Sequence, residues 1–402
     1  MDLIERFLKY VSFETTSYDD TEDFPTNPKI FDLADHIKDE LLGLGLSDAE
    51  VDQYGYVYAH VPATPGCEDA PAIGLMAHMD TSSAVSGANI HPRRFRYEGG
   101  DIQLNESAAI RVADFPEFEN LVGQELIVTD GTTLLGADDK AGIAEIITAV
   151  EYLLAHPEIR HGKLCLCFNP DEEVGRGTEH ISTDKFGCEY AYTLDGDQLG
   201  GIEYECFNAA GATVKINGVN IHPGSAKNKM KNAVLIGSEF IQMLPPAETP
   251  AHTEGYEGFY HVDAFSGIEQ EATVGMIIRD HDRKKFEERK NFVERAVHFL
   301  NVKYGEGTVE LNMSDTYYNM RELVEPHIEI VDRAKEAMRA CGVEPRISPI
   351  RGGTDGAGLT YMGIPCPNLS TGGGNYHGIM EFCSVDQMRT MVEVIVKLVE
   401  AK

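Results

Sequence analysis

Apolar positions recur at two periods along this chain, and the switches between them mark its elements. The opening residues MDLIERFLKYV set Ile4, Phe7, Leu8 and Val11 on one helical face with Asp2 and Glu5 outside it, which predicts an amphipathic helix. A second helix follows in PKIFDLADHIKDELLGLG, where Ile30, Ala34, Ile37 and Leu41 keep helical spacing until glycines stop the run. Short apolar runs bounded by turn residues come next, YGYVYAHV and PAIGLMAH, and read as strands. The stretch KAGIAEIITAVEYLLAH returns to the helical period through Ile143, Ile146, Ile147, Val150 and Leu154, after which KLCLCF and EYAYTLD are again strand-like. Strands alternating with helices of a dozen or more residues predict an α/β sheet wrapped by helices, up to about residue 206.

From about residue 208 the pattern restarts. AATVKIN reads as a strand, a helix runs over about 231–244 and stops at Pro245-Pro246, and ATVGMIIRD, a charged helix through FVERAVHFL, and TVELNM complete a two-layer unit. Beyond about 319 the α/β alternation resumes with a helix over 326–340, strands near 346–350 and 367–370, and the closing helix VDQMRTMVEVIVKLVEAK. The expected organisation is therefore one α/β domain made of residues 1–207 and 319–402, with a smaller α+β domain, 208–318, inserted into it. The Pro- and Gly-containing stretch at 246–258 is the best candidate for a mobile surface loop.

Composition narrows the partners. The chain has 402 residues, 42% of them hydrophobic and 25% charged, as in ordinary globular proteins. Its 34 basic against 66 acidic side chains give a formal charge of -32, which repels phosphate backbones and anionic lipid, so neither nucleic acid nor a membrane surface is an expected partner. No run approaches the roughly 20 apolar residues of a membrane span, and the N-terminus lacks the basic-then-apolar order of a signal peptide; a cytoplasmic location is expected. The eight cysteines are irregularly spaced and read as reduced thiols. Cys165 and Cys167 alternate onto one face of a strand and are assigned to packing.

Metal-ligand residue types gather where strands end. In LMAHMD, His78 and Asp80 lie two apart, so both point to one face, and a carboxylate there could orient a ligating imidazole. GADDKAG sets Asp138 and Asp139 at a helix start, with Gly136 and Gly142 allowing a tight turn; capping alone explains such acids. NPDEEVGRG resists that explanation, because three consecutive acids repel unless a cation or proton intervenes. EYAYTLDGD ends a strand on Asp195, and STGGGNYHG delivers His377 from a glycine-rich loop. Two histidines and three carboxylates suit zinc, or cobalt or manganese in its place, and exceed what one tetrahedral ion needs, so two ions are expected. An acid left over from the ligand set would serve as general base.

HMD, GADDKAG, DEEVGRG, the LDGD strand end and the late NYHG, with a domain inserted between the last two, resemble the M20 family of di-zinc peptidases over nearly the whole chain. The resemblance implies a zinc-peptidase-like catalytic domain, with helices around a mixed sheet, and an inserted lid. It implies that Asp138 bridges two zinc ions and is joined to Asp139 by a cis peptide, that His78 and Asp195 complete one ion, and that Glu173 and His377 complete the other. Glu172 would be the general base and Asp80 the residue orienting His78. In the insert, INGVNIHPGSAK resembles the lid segment whose histidine, here His222, reaches substrate. Arg279 and Arg351 match positions that hold substrate carboxylate or carbonyl oxygens, a task that suits a planar guanidinium; pairing of each with a neighbouring Asp is the plainer alternative. The implied activity is removal of the N-terminal residue from short unblocked peptides, tripeptides above all, with homo-oligomers possible. A related dipeptidase or N-acyl amino acid deacylase would share the metal site, and a silent peptide-binding protein would have lost a ligand or the base, which this chain has not.

Overall fold

In a computed structural model that describes residues 1–401, the chain divides into two compact units, Met1–Tyr204 with Glu322–Ser348 and Thr354–Lys402, and Glu205–Arg321 with Pro349–Gly353. Each is built as its sequence pattern dictates. In the larger unit, Ile73–His78 and Leu164–Asn169 are buried at every position, the signature of central strands covered on both faces. They belong to an eight-stranded mixed sheet in the order Glu50–Val51, Val57–Val61, Leu164–Asn169, Ile73–His78, Tyr190–Gly196, Asn368–Ser370, Gly201–Glu203, Arg346–Ile347. The Leu164–Asn169, Ile73–His78, Tyr190–Gly196 and Asn368–Ser370 strands are mutually parallel, so their carboxyl ends share one edge.

Helices Leu3–Tyr10, Ala137–Ala155 and Val385–Val399 pack together on one side of this sheet. On the other side Tyr56, Tyr58, Met76, Cys165, Cys167, Phe186 and Leu359 form a core, which places both cysteines in packing as expected. A smaller antiparallel sheet joins Gly373–Gly374, Phe382–Ser384, Glu125–Val128 and Arg93–Arg96. Helix boundaries follow the apolar period closely, but burial departs from it at two positions. Leu154 is 40% exposed whereas Leu153 is buried, because the Ala137–Ala155 helix is enclosed on most of its surface and has no single inward stripe. Arg6, a charged residue of the first helix, is fully buried and donates to Glu40 (2.8 Å), Thr148 (2.5 Å) and Glu151 (2.5 Å). Among the described residues no helix is long and apolar enough to cross a membrane.

The smaller unit is an antiparallel sheet in the order Phe259–Gly267, Glu271–Asp280, Asn208–Asn217, Val309–Tyr317. Alternate residues Ala210, Ala212, Val214, Ile216 and Ala272, Val274, Met276, Ile278 pack on helices Ala233–Met243 and Arg283–Tyr304, the period-two pattern of a sheet with one covered face. Pro349–Gly353 belongs to this unit, outside the range that the alternation assigned to it. Within it the stretch expected to be mobile is tied down: Arg351 donates to the carbonyls of Gly255 (2.7 Å) and Glu257 (2.9 Å) and to Thr253 Oγ1 (3.0 Å).

Candidate metal and catalytic site

The carboxyl edge of the parallel strands gathers the ligand-type side chains. His78 ends its strand, Glu172 and Glu173 follow Leu164–Asn169, Asp195 lies near the end of Tyr190–Gly196, and His377 sits on the connection between Gly373–Gly374 and Phe382–Ser384. Asp138 and Asp139 begin the Ala137–Ala155 helix with non-helical dihedrals and a cis peptide between them. Gly136 supplies the left-handed turn at φ 77°. Gly142 has a different role from the one expected: a Cβ there would lie 2.1 Å from the Leu194 carbonyl oxygen, so it permits close approach of helix and strand instead of making a turn.

Asp138 stands between the two imidazoles. Its Oδ1 is 2.8 Å from His78 Nε2 and its Oδ2 is 2.9 Å from His377 Nε2. His78 Nε2 is also 3.4 Å from Asp195 Oδ1, and His377 Nε2 is 2.9 Å from Glu173 Oε2. Ligand atoms of His78, Glu172 and Asp195 lie within 4.8 Å of one another, and so do those of His78, Asp138 and Glu173. Burial opposes ionisation of Asp138, yet the two histidines hold its carboxyl well below the usual range. Burial and neighbouring carboxylates push the others up: Asp195 to about 8, Asp355 to about 7, and Glu172 well above the ordinary value, with Asp195 and Asp355 adding to the burial of Glu172. Hydrogen bonds to Asp138 and Glu173 raise His377 to about 10. Glu173 Oε1 is buried with no hydrogen-bond partner among the described residues. Carboxylates crowded in low dielectric around imidazole nitrogens, with one carboxylate oxygen unsatisfied, fit divalent cations of the zinc, cobalt or manganese type.

Asp80 does more than face His78. Its carboxylate accepts from the backbone amides of Glu172 and Glu173, both at 3.1 Å, and from Ser17 Oγ at 2.8 Å, while its carbonyl lies 3.1 Å from His78 Nδ1. The acidic loop is further fixed by Asp171, at φ 60°, which accepts from Thr26 N (2.8 Å) and Oγ1 (2.7 Å). Asn368 accepts from Asp195 N at 3.0 Å and donates to Glu203 at 2.9 Å. Ser17, Thr26 and Asn368 went unnoticed in the sequence because lone polar residues far from any motif carry no local signal.

His222, Arg279 and Arg351 belong to the smaller unit. His222 is exposed and its Nδ1 accepts from Gly224 N at 3.2 Å, which leaves the neutral ring protonated on Nε2. Arg279 lies on the sheet face without helices, bonded to the carbonyls of Ala210 (3.2 Å) and Ile278 (3.0 Å) and stacked over Tyr317. The neighbouring Asp280 points the opposite way and is taken by Arg289 at 2.8 Å, so the plain Arg279–Asp280 pair does not form. Arg351 gives its hydrogen bonds to the 253–257 loop and, among the described residues, pairs with no neighbouring Asp.

Known proteins bear on this arrangement in three ways. Residues 129–401 match peptidase family M20/M25/M40. The Peptidase T of Caldanaerobacter subterraneus subsp. tengcongensis is 53% identical over 99% of this chain and 98% of its own length, and that of Halothermothrix orenii is 52% identical over the same shares. Among solved structures, a tripeptidase from Staphylococcus aureus has a similar fold at TM-score 0.79 and 19% identity, covering 99% of this chain and 97% of that one. An aminopeptidase from Bacillus cereus gives TM-score 0.77 at 22% identity over the same shares. With the fold, the clustered histidines and carboxylates and the sequence match all in agreement, the chain belongs to peptidase family M20/M25/M40 and is a metallopeptidase.

Proposed function

We propose that this chain is a two-metal aminopeptidase that releases the N-terminal residue of tripeptides. The substrate class is supported by relatives of more than 50% identity, named Peptidase T, that match from end to end. The observation that carries the metal reading is the position of Asp138, one carboxylate oxygen toward each histidine, with Asp195 beside one ring and Glu173 beside the other. His78, Asp138 and Asp195 would hold one divalent ion, and Asp138, Glu173 and His377 the second, zinc being the cation that the donor set suits best. Bound there, the pair would polarise the scissile carbonyl and make water a stronger nucleophile at neutral pH.

Within that frame the chain's own groups divide the work. Glu172 lies near His78 and Asp195, outside the two proposed ligand sets. It takes a proton from the attacking water on its carboxylate and returns it to the leaving amine. Asp80 keeps Glu172 in place through the backbone amides of the acidic loop. The 208–318 segment acts as a lid: His222, through Nε2–H, donates to the developing oxyanion, and Arg279 takes the substrate's terminal carboxylate. Arg351 shapes the loop it binds and presents that loop to substrate.

The deciding experiment combines metal analysis with a panel of di-, tri- and tetrapeptides, with and without a blocked N-terminus. Two ions per chain and hydrolysis restricted to unblocked tripeptides are expected. Glu172→Gln should retain both ions and lose about 10² to 10⁴ in kcat, since the amide keeps the shape and loses the basicity. A saturating stoichiometry of one ion with full activity would sink the shared-carboxylate site, and preference for blocked peptides would sink the aminopeptidase assignment.

A further inference from the structure

Glu381 follows His377 by four residues and is buried, with 1% of its surface exposed. Its Oε2 accepts from the backbone N–H of Leu135 (2.6 Å) and Gly136 (3.0 Å), and its Oε1 from those of Ala137 (2.7 Å) and Asp138 (3.2 Å). Four successive amides thus converge on one carboxylate, an arrangement that the left-handed Gly136 makes possible by turning the chain into a concave anion cradle. Only an ionised carboxylate offers about four lone-pair sites with no hydrogen of its own.

The cradle joins two loops that spring from neighbouring strands. Phe382–Ser384 pairs antiparallel with Glu125–Val128, Phe382 opposite Val128. The loop arriving at Phe382 carries His377, and the loop leaving Val128 carries Asp138. The His377 side chain is about half exposed, at 49%, and its backbone holds φ 62°, so its own packing does little to fix it. Besides the direct contact of Asp138 with His377, the two loops are joined by the four bonds to Glu381 and by a longer bond from Thr129 Oγ1 to the Ile379 carbonyl at 3.4 Å.

We infer that Glu381 is a positioning residue, the strut that sets the spacing of Asp138 and His377 and thereby the affinity of the site for its ions. The inference rests on the reading of those two residues as metal ligands. Glu381 touches neither substrate nor ion, and acts through the backbone of the Asp138 turn. Glu381→Gln leaves one oxygen for four donors and turns an NH₂ toward N–H groups. Glu381→Asp keeps the charge and draws it back by one methylene.

The test is competition of Co²⁺ or Zn²⁺ against a chelator of known affinity, with tripeptide kinetics on the same samples. Wild type should bind two ions. Glu381→Gln should lose about 10- to 100-fold in metal affinity, the range seen when a group behind a ligand is removed. Excess metal should recover much of kcat with KM unchanged, and Glu381→Asp should fall between. Glu145→Gln is the control, because it changes a fully buried carboxylate of the Ala137–Ala155 helix that has no hydrogen-bond partner among the described residues; it should bind metal as wild type does. Wild-type affinity in a folded Glu381 variant, or an equal loss in Glu145→Gln, overturns the inference. Should neither Glu381 variant fold, hydrogen exchange in the wild-type protein decides: the amides of residues 135–138 should exchange slowly, and fast exchange there is fatal to the strut. A wild-type protein that binds no divalent ion would instead refute the metal-site reading itself.

Discussion

Gly142→Ala is a one-methyl perturbation with a sign opposite to the ordinary one. In a helix interior, replacing Gly by Ala stabilises by roughly 0.5–1 kcal/mol through backbone entropy. Here the added Cβ would stand 2.1 Å from the Leu194 carbonyl oxygen, 2.6 Å from Asp139 Oδ1 and 3.0 Å from Leu194 Cβ. Ordinary contact begins near 3.4 Å, so helix and strand must part by about 1.3 Å. Neither can part freely. Gly142 is one helical turn beyond Asp138, and Leu194 precedes Asp195, whose amide is pinned to Asn368 at 3.0 Å. The wedge therefore acts on two proposed ligands at once. Overpacking of this kind costs about 1–3 kcal/mol, and misplacement of reactive groups by 1 Å costs on the order of 10² in rate. Thermal unfolding, chelator competition and kcat should all fall together in Gly142→Ala. Gly43→Ala is the reference, since an added Cβ at the end of the Ile30–Gly43 helix meets nothing within 4 Å and should leave all three unchanged or raise stability slightly. A Gly142→Ala protein with wild-type stability and wild-type metal affinity would refute the claim that the helix-to-strand contact sets the site.

Glu145→Met should stabilise the protein. Burial alone holds the Glu145 carboxyl well above its ordinary 4.5, so the folded chain keeps a proton that the unfolded chain releases. Between 4.5 and the folded value, stability then falls as pH rises, by up to about 1.4 kcal/mol per unit. Removing the group should add about 1–3 kcal/mol at pH 7, the cost of an unsatisfied buried polar group. Urea titrations should find that gain shrinking as the pH is lowered toward 4.5, and a gain independent of pH would count against the buried-acid account. Arg279→Ala should raise KM for tripeptides with a free C-terminus and change little for C-terminally amidated ones; equal losses on both would remove Arg279 from carboxylate recognition.

Much of this was legible in the chain because the relevant signals are local. The strands of the larger unit announce themselves as runs such as PAIGLMAH, which ends on His78, and KLCLCF, which is followed within three residues by Asp171, so fold and site are read from nearby positions. What was hidden depends on contacts far apart in sequence. Arg6 is buried because Glu40, Thr148 and Glu151 surround it, and no helical period reports that. The HxD motif placed Asp80 beside His78, yet its carboxylate spends its bonds on amides more than ninety residues away. Arg351 was assigned by its likeness to a family position, while the structure ties its guanidinium to loop carbonyls across an irregular segment that has no period to read. Glu381 had one faint cue, a lone acid in an apolar strand start, GIMEFC, where a buried carboxylate must find several donors.

The proposed ligands are spread from His78 to His377, and no two that would hold the same ion without the shared Asp138 are close in sequence. A zinc finger collects its ligands within a short segment, so metal can drive its folding. Here the order is reversed. A nascent chain would already have exposed four of the proposed ligands while His377 and the strand that follows it were still unmade, so the proposed centre would be complete only after synthesis of the last sheet strand. Metal capture would then act as a final inspection step: a chain truncated before the Gly373–Ser384 hairpin would lack one side of the proposed centre, however well the earlier strands have paired.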